Sequence, residues 1–511
     1  MKKLLLFLIV NFEFVIAFSQ TDQNISNTAS SETEPYIAVN PANPNNLIAA
    51  WMSLTLPFKI NTKASMDGGV TWGNLNTLPH FSNSFLISSA DVSIAFNSAG
   101  TAFISYVDYK ITLDSGFVRV AKSTNGGVSW GVPVNAINAL TQSDLPVDRP
   151  WIVCDNSSSP YSGRIYLVSK SYWGAAPPHK IWLSISTDSA GSFSPIVRLD
   201  NPVAIGTLTN IMVVPAVGAD GAFYGAYLSW DTSQNPFARV MCIKSTDGGS
   251  TFTPYTVGYP VAGSAVSDTL YQGSYSLSAN PANTNNLIFQ VTDARYGDPD
   301  ILTIFSNDGG VTWSTTPVRV NDDVTANGVG QDMSWGAYSP NGTYAVAWRD
   351  RRNGGTTDTS DYEVFTSLSL DGGATFMPNY NLSSAPSPFI NIQRGNDFLG
   401  VCMTDTYLFS AWSDNRNKNP NKEDIYVRKE LLSVVTASDE LSANKLFSVT
   451  CFPNPFIDEI TFNVFSEKSS AANISILSMD GKTVLRENNL KLGKGRTQWV
   501  FKGNKLGAGN Y

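Results

Sequence analysis

The stretch SNDGGVTW, Ser306 to Trp313, decides how this 511-residue chain is read, because it returns. The other copies are SMDGGVTW (65–72), STNGGVSW (123–130), STDSAGSF (186–193), STDGGSTF (245–252) and SLDGGATF (369–376), and each closes a short run of alternating apolar and polar residues. An Asp followed by two Gly suits a tight turn. The carboxylate accepts hydrogen bonds from nearby backbone amides, and Gly takes the positive φ that other residues resist. The closing Trp or Phe is expected to plug into the core. The acceptor positions are Asp67, Asn125, Asp188, Asp247, Asp308 and Asp371, a pitch of 58 to 63 residues. A steady pitch of that size means repeated supersecondary units.

Each unit follows one template. A first strand (PYIAV, VSIAF, PWIVC, IMVVP, YSLSA, MSWGA, FLGVC) leads through an Asn-, Pro- and Gly-rich turn into a second (NLIAAWMS, TAFISYVD, RIYLVSKS, AFYGAYLSW, NLIFQVTD, TYAVAWRD, TYLFSAWSD), and a third runs into the repeated phrase. Two of the turns, NPANPNNLI (40–48) and NPANTNNLI (280–288), are almost identical, which argues for internal duplication. Four short strands per unit with turn signals between them predict an all-β chain, a β-propeller. First strands count to seven. The seventh unit, around 397–430, ends in DIYVRKE and lacks the phrase. Seven blades are expected if the leader before the first unit supplies the missing strand and closes the ring.

The repeated phrase resembles the Asp-box, or bacterial neuraminidase repeat, of sialidases and other propellers. STDSAGSF departs from it at Ala190, and Asn125 keeps an acceptor without the charge. The resemblance implies that the boxes are scaffold, placed between the third and fourth strands of a blade and away from the ligand face. Sialidases have six blades, so six stays open beside seven.

The ends of the chain read differently. Residues 1–19 resemble a secretory signal: Lys2 and Lys3, the apolar run LLLFLIV, then Ala17-Phe18-Ser19 before Gln20. Residues 20–32 are a polar leader and 33–431 the propeller; no later stretch has the roughly 18 apolar residues of a membrane span. After a polar linker, 432–445, the segment 446–511 resembles the sorting domain of type IX secretion substrates. The match rests on Phe452-Pro453-Asn454-Pro455, the strands ITFNVF and NISILSMDGKTV, and the closing Leu506 to Tyr511. That resemblance implies a small β-sandwich, secretion machinery as a partner, and a secreted or outer-surface location. Family members run on for another strand or two to a basic tail, so the domain is expected to be truncated.

Composition narrows the chemistry. With 42% hydrophobic residues, 15% charged residues and a net charge of −8, the chain is not expected to bind nucleic acid. Cys154, Cys242, Cys402 and Cys451 lie too far apart for a zinc or redox motif and are expected to be free and buried, and His80 and His179 are the only histidines. A Ser-His-Asp relay, a metal site and a cofactor are therefore not expected.

Function is expected on the face opposite the boxes. Before the first strands stand Glu34, Asp91, Asp148, Arg149, Asn210, Ser274, Asp332 and Asp397, an uneven acidic rim. At the ends of the second strands stand Asp108, Asp231, Asp293, Asp350 and Asp414, with Arg295, Arg351, Arg352 and Arg416 close behind. Catalytic candidates are Asp91, Asp148, Asp332 and Asp397. Ligand-binding candidates are Glu34, Asp148, Arg149, Arg295, Asp332, Arg351, Asp397 and Arg416. The competing reading of the second series is turn caps paired with neighbouring Arg; that of the rim is solvated loop ends. Sialidases hold the substrate carboxylate with three arginines, the first ahead of the first box, and use a Tyr activated by a Glu. Here no Arg precedes Arg119 and no Glu lies between Glu34 and Glu363. The expected function is a surface propeller binding glycans or protein partners. The alternatives are a glycoside hydrolase on a non-sialoside using two carboxylates, and a purely adhesive module.

Overall fold

In the computed structural model the described residues are 13–15 and 22–502, without 139–146, 172–178, 202, 204–211, 230–238, 260–274, 358, 390–397, 418–421, 434, 436–446, 453–458, 467–469 and 478–482. Two compact units are present, one spanning Thr21–Leu432, the other combining Met1–Gln20 with Ser433–Tyr511.

The larger unit is a seven-bladed β-propeller. Its first blade is an antiparallel meander of Glu32–Asn40, Asn43–Ser53, Lys59–Ser65 and Asn76–Thr77. The inner strands of the next six are Ile87–Phe96, Val147–Cys154, Val213–Val217, Tyr275–Ala279, Gln331–Tyr338 and Gly400–Met403. Blade seven takes its outer strand from the other end of the chain: Gln23–Asn24 pairs antiparallel with Val427 and Tyr426. Behind that pairing Asp22, with no exposed side-chain surface, joins Arg416 at 2.6 Å and Arg428 at 3.4 Å. The ring therefore leaves no exposed sheet edge at its seam.

Second strands such as Leu287–Asp293 and Tyr344–Asp350 are buried at every position. A middle strand of a blade is covered on both faces by neighbouring blades, which is why these strands read as near-continuous apolar runs rather than strict alternation. The duplicated turns have a mechanical role. The Asn46 side-chain amide donates to Ser65 O in its own blade and to Gly126 O in the next, and Asn286 does the same to Ser306 O and Gly372 O. A β-carbon on Gly126 would stand 2.7 Å from Asn46 Oδ1, so glycine is required there by proximity as well as by its φ of +72°.

The six repeated turns share one network. At Ser306–Trp313, the Gly310 amide donates to Ser306 Oγ at 2.9 Å, Ser306 Oγ donates to Asp308 Oδ1 at 2.9 Å, and the Thr312 amide donates to the same oxygen at 2.8 Å. Asn125 keeps this pattern with one reversal, its Nδ2 donating to Ser129 Oγ where an Asp would accept. In the third blade Ser189 and Ala190 hold φ of +59° and +60°, the conformation that Gly-Gly takes in the others. The closing aromatic differs from expectation. All six, Trp72, Trp130, Phe193, Phe252, Trp313 and Phe376, are half-buried and lie against the cores as lids rather than plugs. Trp313→Ala should accordingly cost about 2 kcal/mol, roughly half the 3–5 of a fully buried aromatic. Asp308→Ala, whose released donors reach water, should cost about 1.5 kcal/mol; urea denaturation of the two variants checks this near-equality.

The turn carboxylates also tie stability to acid. Hydrogen bonds from the Ser192 hydroxyl and amide and from Ser186 hold Asp188 down at about 2, against an ordinary 3.8. A depressed carboxylate stabilises the fold above its unfolded value and stops doing so as pH falls through the folded one. Melting temperature should fall between pH 4 and pH 2, less steeply in Asp188→Asn, which mimics the Asn125 turn; identical slopes would remove the turns from the acid response.

In the smaller unit the described strands form two three-stranded sheets. One joins Phe447–Phe452, Glu459–Ser466 and Gly495–Lys502; the other joins Ser470–Leu477, Thr483–Leu492 and, in parallel, Glu13–Val15 from the stretch read as a signal. Val464, Leu492 and Trp499 pack together. No helix among the described residues is long and apolar enough to cross a membrane. Cys154, Cys242 and Cys402 are free and buried; the side chain of Cys451 lies outside the described residues.

Candidate functional site

The inner strands begin at the channel mouth opposite the repeated turns, and four of them begin with a break in register. The breaks fall between Thr33 and Tyr36, Ala90 and Val92, Asp148 and Trp151, and Asp332 and Trp335. Each bulge holds a residue at positive φ: Glu34 at 54°, Asp91 at 46°, Arg149 at 49° and Met333 at 52°. Left-handed backbone at a residue with a β-carbon costs roughly 1–3 kcal/mol, and such outliers concentrate at binding and catalytic sites. All four are buried. Sequence inspection placed three of them on the rim, whereas Met333 and the backbone conformation itself were missed, since no turn residue marks the bulge.

Two charge networks occupy the mouth. Asp148 meets Lys170 Nζ at 2.9 Å, and the Arg149 amide donates to Asp148 Oδ1 and to Asp91 Oδ2, both at 3.1 Å. Burial opposes ionisation of Asp148, but Lys170, a hydrogen bond from Asp91 and the Arg149 charge outweigh it and hold the carboxyl far below its ordinary value. Asp91 and Asp148 thus accept from one and the same backbone amide, with Asp148 held ionised beside Lys170. Burial in turn lowers the Lys170 ammonium. In the second network Asp332 takes Arg349 Nε at 2.7 Å and Nη2 at 2.9 Å, plus Arg351 Nη2 at 2.9 Å. Burial resists ionisation here too, yet Arg349 and then Arg351 hold Asp332 at about 2. Arg149 lies 4.9 Å over the ring of Phe398, spanning the mouth from blade three to blade seven.

The remaining candidates are placed otherwise. Arg295 is tied to Asp293 through Nε and Nη2, both at 2.9 Å, and Arg416 to Asp414 and Asp22. Arg295 is thus paired at a loop end and Arg416 at the seam of blade seven. In the sixth blade Arg352, not Arg351, pairs with Asp350. Asp350 and Asp414 also accept from the indoles of Trp348 and Trp412. Asp397, Asn210, Ser274 and Asp231 lie outside the described residues.

Two buried groups had no signal in the sequence. Glu32, fully buried, accepts from the Thr28 hydroxyl, and burial pushes its carboxyl up to about 7. Ser89, His80 and Asp108 meet in blade two, but Ser89 Oγ and Asp108 Oδ1 both address His80 Nδ1, at 3.0 and 2.8 Å. A relay needs serine and carboxylate on opposite ring nitrogens. With Ser89 and Asp108 fully buried, this cluster is architectural.

No protein-family model matches the sequence, and no curated protein matches it. Solved structures do resemble the chain. A Hadza microbial sialidase, Hz136, is 14% identical over 76% of this chain and 77% of its own, with a TM-score of 0.44. The GH93 α-L-arabinofuranosidase of Fusarium graminearum, solved with arabinobiose, is 15% identical over 82% and 99%, with a TM-score of 0.44. The leech intramolecular trans-sialidase, solved with 2,7-anhydro-Neu5Ac, is 13% identical over 83% and 71%, with a TM-score of 0.42.

Chemically, the mouth is polar, nearly charge-balanced and tied down. Two-carboxylate glycosidases separate their groups by about 5 Å or by about 6.5–9.5 Å so that a sugar or a water fits between. Asp91 and Asp148 are instead held by a single backbone amide and, for Asp148, by Lys170, which fixes both in place. Asp332, clamped by two guanidiniums, stays ionised and cannot act as an acid near neutral pH. Among the described residues no group of three or more His, Cys, Asp or Glu could hold a metal ion.

Proposed function

We propose that this chain is an exported Asp-box propeller that binds a glycan, or failing that an extracellular protein, through the channel mouth formed by Glu34, Asp91, Asp148, Arg149 and Asp332. The C-terminal unit acts as a type IX sorting domain that delivers it to the outer surface. The observation carrying the binding reading is that the mouth's carboxylates are held by a shared backbone amide and by buried cations: the arrangement is rigid enough for recognition, and neither Asp148 nor Asp332 is a free acid for catalysis. The four left-handed bulges support the same reading, because strain kept at one rim needs a return in function. A rim of fixed, mutually compensated donors and acceptors favours neutral hydroxyl-rich ligands.

The second reading, a glycoside hydrolase acting on a non-sialoside, keeps one support: a sugar entering the mouth could part Asp91 from Asp148 and give the spacing that hydrolysis needs. A glycan array followed by a fluorogenic panel separates the two. The expected result is retention of neutral glycans with no turnover of a fluorogenic sialoside or of neutral glycosides, and weakened retention in Asp148→Asn. Turnover of any neutral glycoside that Asp91→Asn abolishes would replace binding by hydrolysis. Loss of all glycan retention would leave the protein partner.

A further inference from the structure

The channel is divided at mid-height. Tyr36, Trp151 and Trp335, one from each of blades one, three and six, meet there with ring centroids 5.7 to 6.1 Å apart, and Phe398 closes in above Trp151 at 5.2 Å. Below this floor, toward the face of the repeated turns, lies a cavity of about 340 Å³. That is at the lower end of small-ligand sites, roughly 300–1,000 Å³. It is a separate space from the charged mouth.

Its chemistry is mixed but uncharged. No Asp, Glu, Lys or Arg is among the described residues that line it. The floor offers indole and phenol faces, with Tyr36 and Trp335 only half-buried. The Trp151 indole nitrogen is buried, and no protein acceptor for it stands among the described residues. The walls are inner strands, each paired on one side only, so their other edge presents backbone N–H and C=O groups toward the channel. Some of these are latched between blades, as where Ser278 Oγ donates to Gly336 O; the rest require partners from whatever fills the cup.

A purely apolar guest would strip water from those groups and replace nothing, at a cost for each. An ion would find no counter-charge. We infer that this cup is a second binding site, on the face opposite the charged mouth, for a neutral sugar ring. The ring's C–H face would lie on Trp335 and Tyr36, and its hydroxyls would pair with the open strand edges of the wall. Aromatic faces combined with a few fixed polar groups suit a molecule that is itself apolar on one face and hydroxylated at its edge.

The test uses the full chain with 15N-labelled tryptophan, titrated with cellobiose, lactose, glucuronate and cyclohexanol. A neutral disaccharide should shift two indole N–H resonances, identified as Trp151 and Trp335 by their absence in Trp151→Phe and Trp335→Phe. Ala337→Trp, which fills the cup from its half-buried wall, should weaken binding at least tenfold. Asp148→Asn at the opposite mouth should leave these shifts unchanged, which keeps this site distinct from the first. Glucuronate or cyclohexanol binding as well as the disaccharides would overturn the inference, as would neutral-sugar shifts that persist in Ala337→Trp. Absence of any shift up to tens of millimolar sugar would overturn it equally; should Ala337→Trp fail to fold, the shifts in the two Phe variants decide alone.

Discussion

Asp332→Ala is expected to lower stability by about 3–5 kcal/mol, the cost of removing one partner from a buried ion pair and leaving the other charge uncompensated. Arg349 and Arg351 are both nearly fully buried, and Asp332 is the carboxylate that each meets. The same fork is already filled by a carboxylate of the protein's own, so an anionic sugar is expected to find no free guanidinium there. Small carboxylates should therefore rescue the variant. Formate or acetate at 0.1 M should raise the melting temperature of Asp332→Ala by several degrees and leave the parent unmoved, and Asp332→Glu should retain most of the stability. A variant that melts like the parent, or one deaf to formate, would mean that the two guanidiniums find other partners.

The second large effect is expected at the seam. Asp22→Ala should cost about 3 kcal/mol, the lower end of the same range, because Arg416 keeps Asp414 and Arg428 keeps Glu430 at 2.6 Å after the change. Removing residues 22–26 altogether should do more, by baring the outer edge of blade seven and taking Ile25 out of the core between blades seven and one. Thermal melts together with size-exclusion chromatography check both: the truncated chain should self-associate through the opened edge. A monomeric truncated chain with an unchanged melt would show that the seam is held elsewhere.

What the sequence made legible follows from what repeats. SNDGGVTW and its copies could be read because a turn with fixed acceptor, amide and glycine positions has one chemical solution, and six uses of it set the pitch of the blades. The seventh blade was harder, since its fourth strand, Gln23–Asn24, is two residues long and its Asn24 lies 402 positions from its partner Tyr426; only the need to close a ring pointed to it. At the mouth, residue types were visible and their pairings were not. Asp332 precedes Trp335 much as Asp148 precedes Trp151, yet one is clamped by two arginines in and just after the adjacent strand and the other pairs with Lys170 and shares a backbone amide with Asp91 of a neighbouring blade. Those partners are fixed by the bulges, and nothing at Glu34, Asp91 or Met333 announces a left-handed backbone in the way Gly309-Gly310 does. The half-buried placement of Trp313 also escaped the sequence, because an aromatic that lids a core and one that fills it look alike in a string of letters.

Closure of blade seven from both chain ends also orders events in time. Within the propeller, synthesis delivers the strand Gln23–Asn24 first and its docking site, Asp424–Leu431, last, so Asp22 waits 406 residues for Arg428. Six blades can stack locally as they emerge, each through contacts close in sequence, but the final step is one long loop closure whose entropy is charged at the end. Until then two open sheet edges face each other, and a chain interrupted late is the most association-prone species in its own history. The finished ring, by contrast, has no terminal blade from which to fray, so its native-state hydrogen exchange should show blade one and blade seven opening together, as a single kinetic unit that joins the first-made and last-made blades of the propeller.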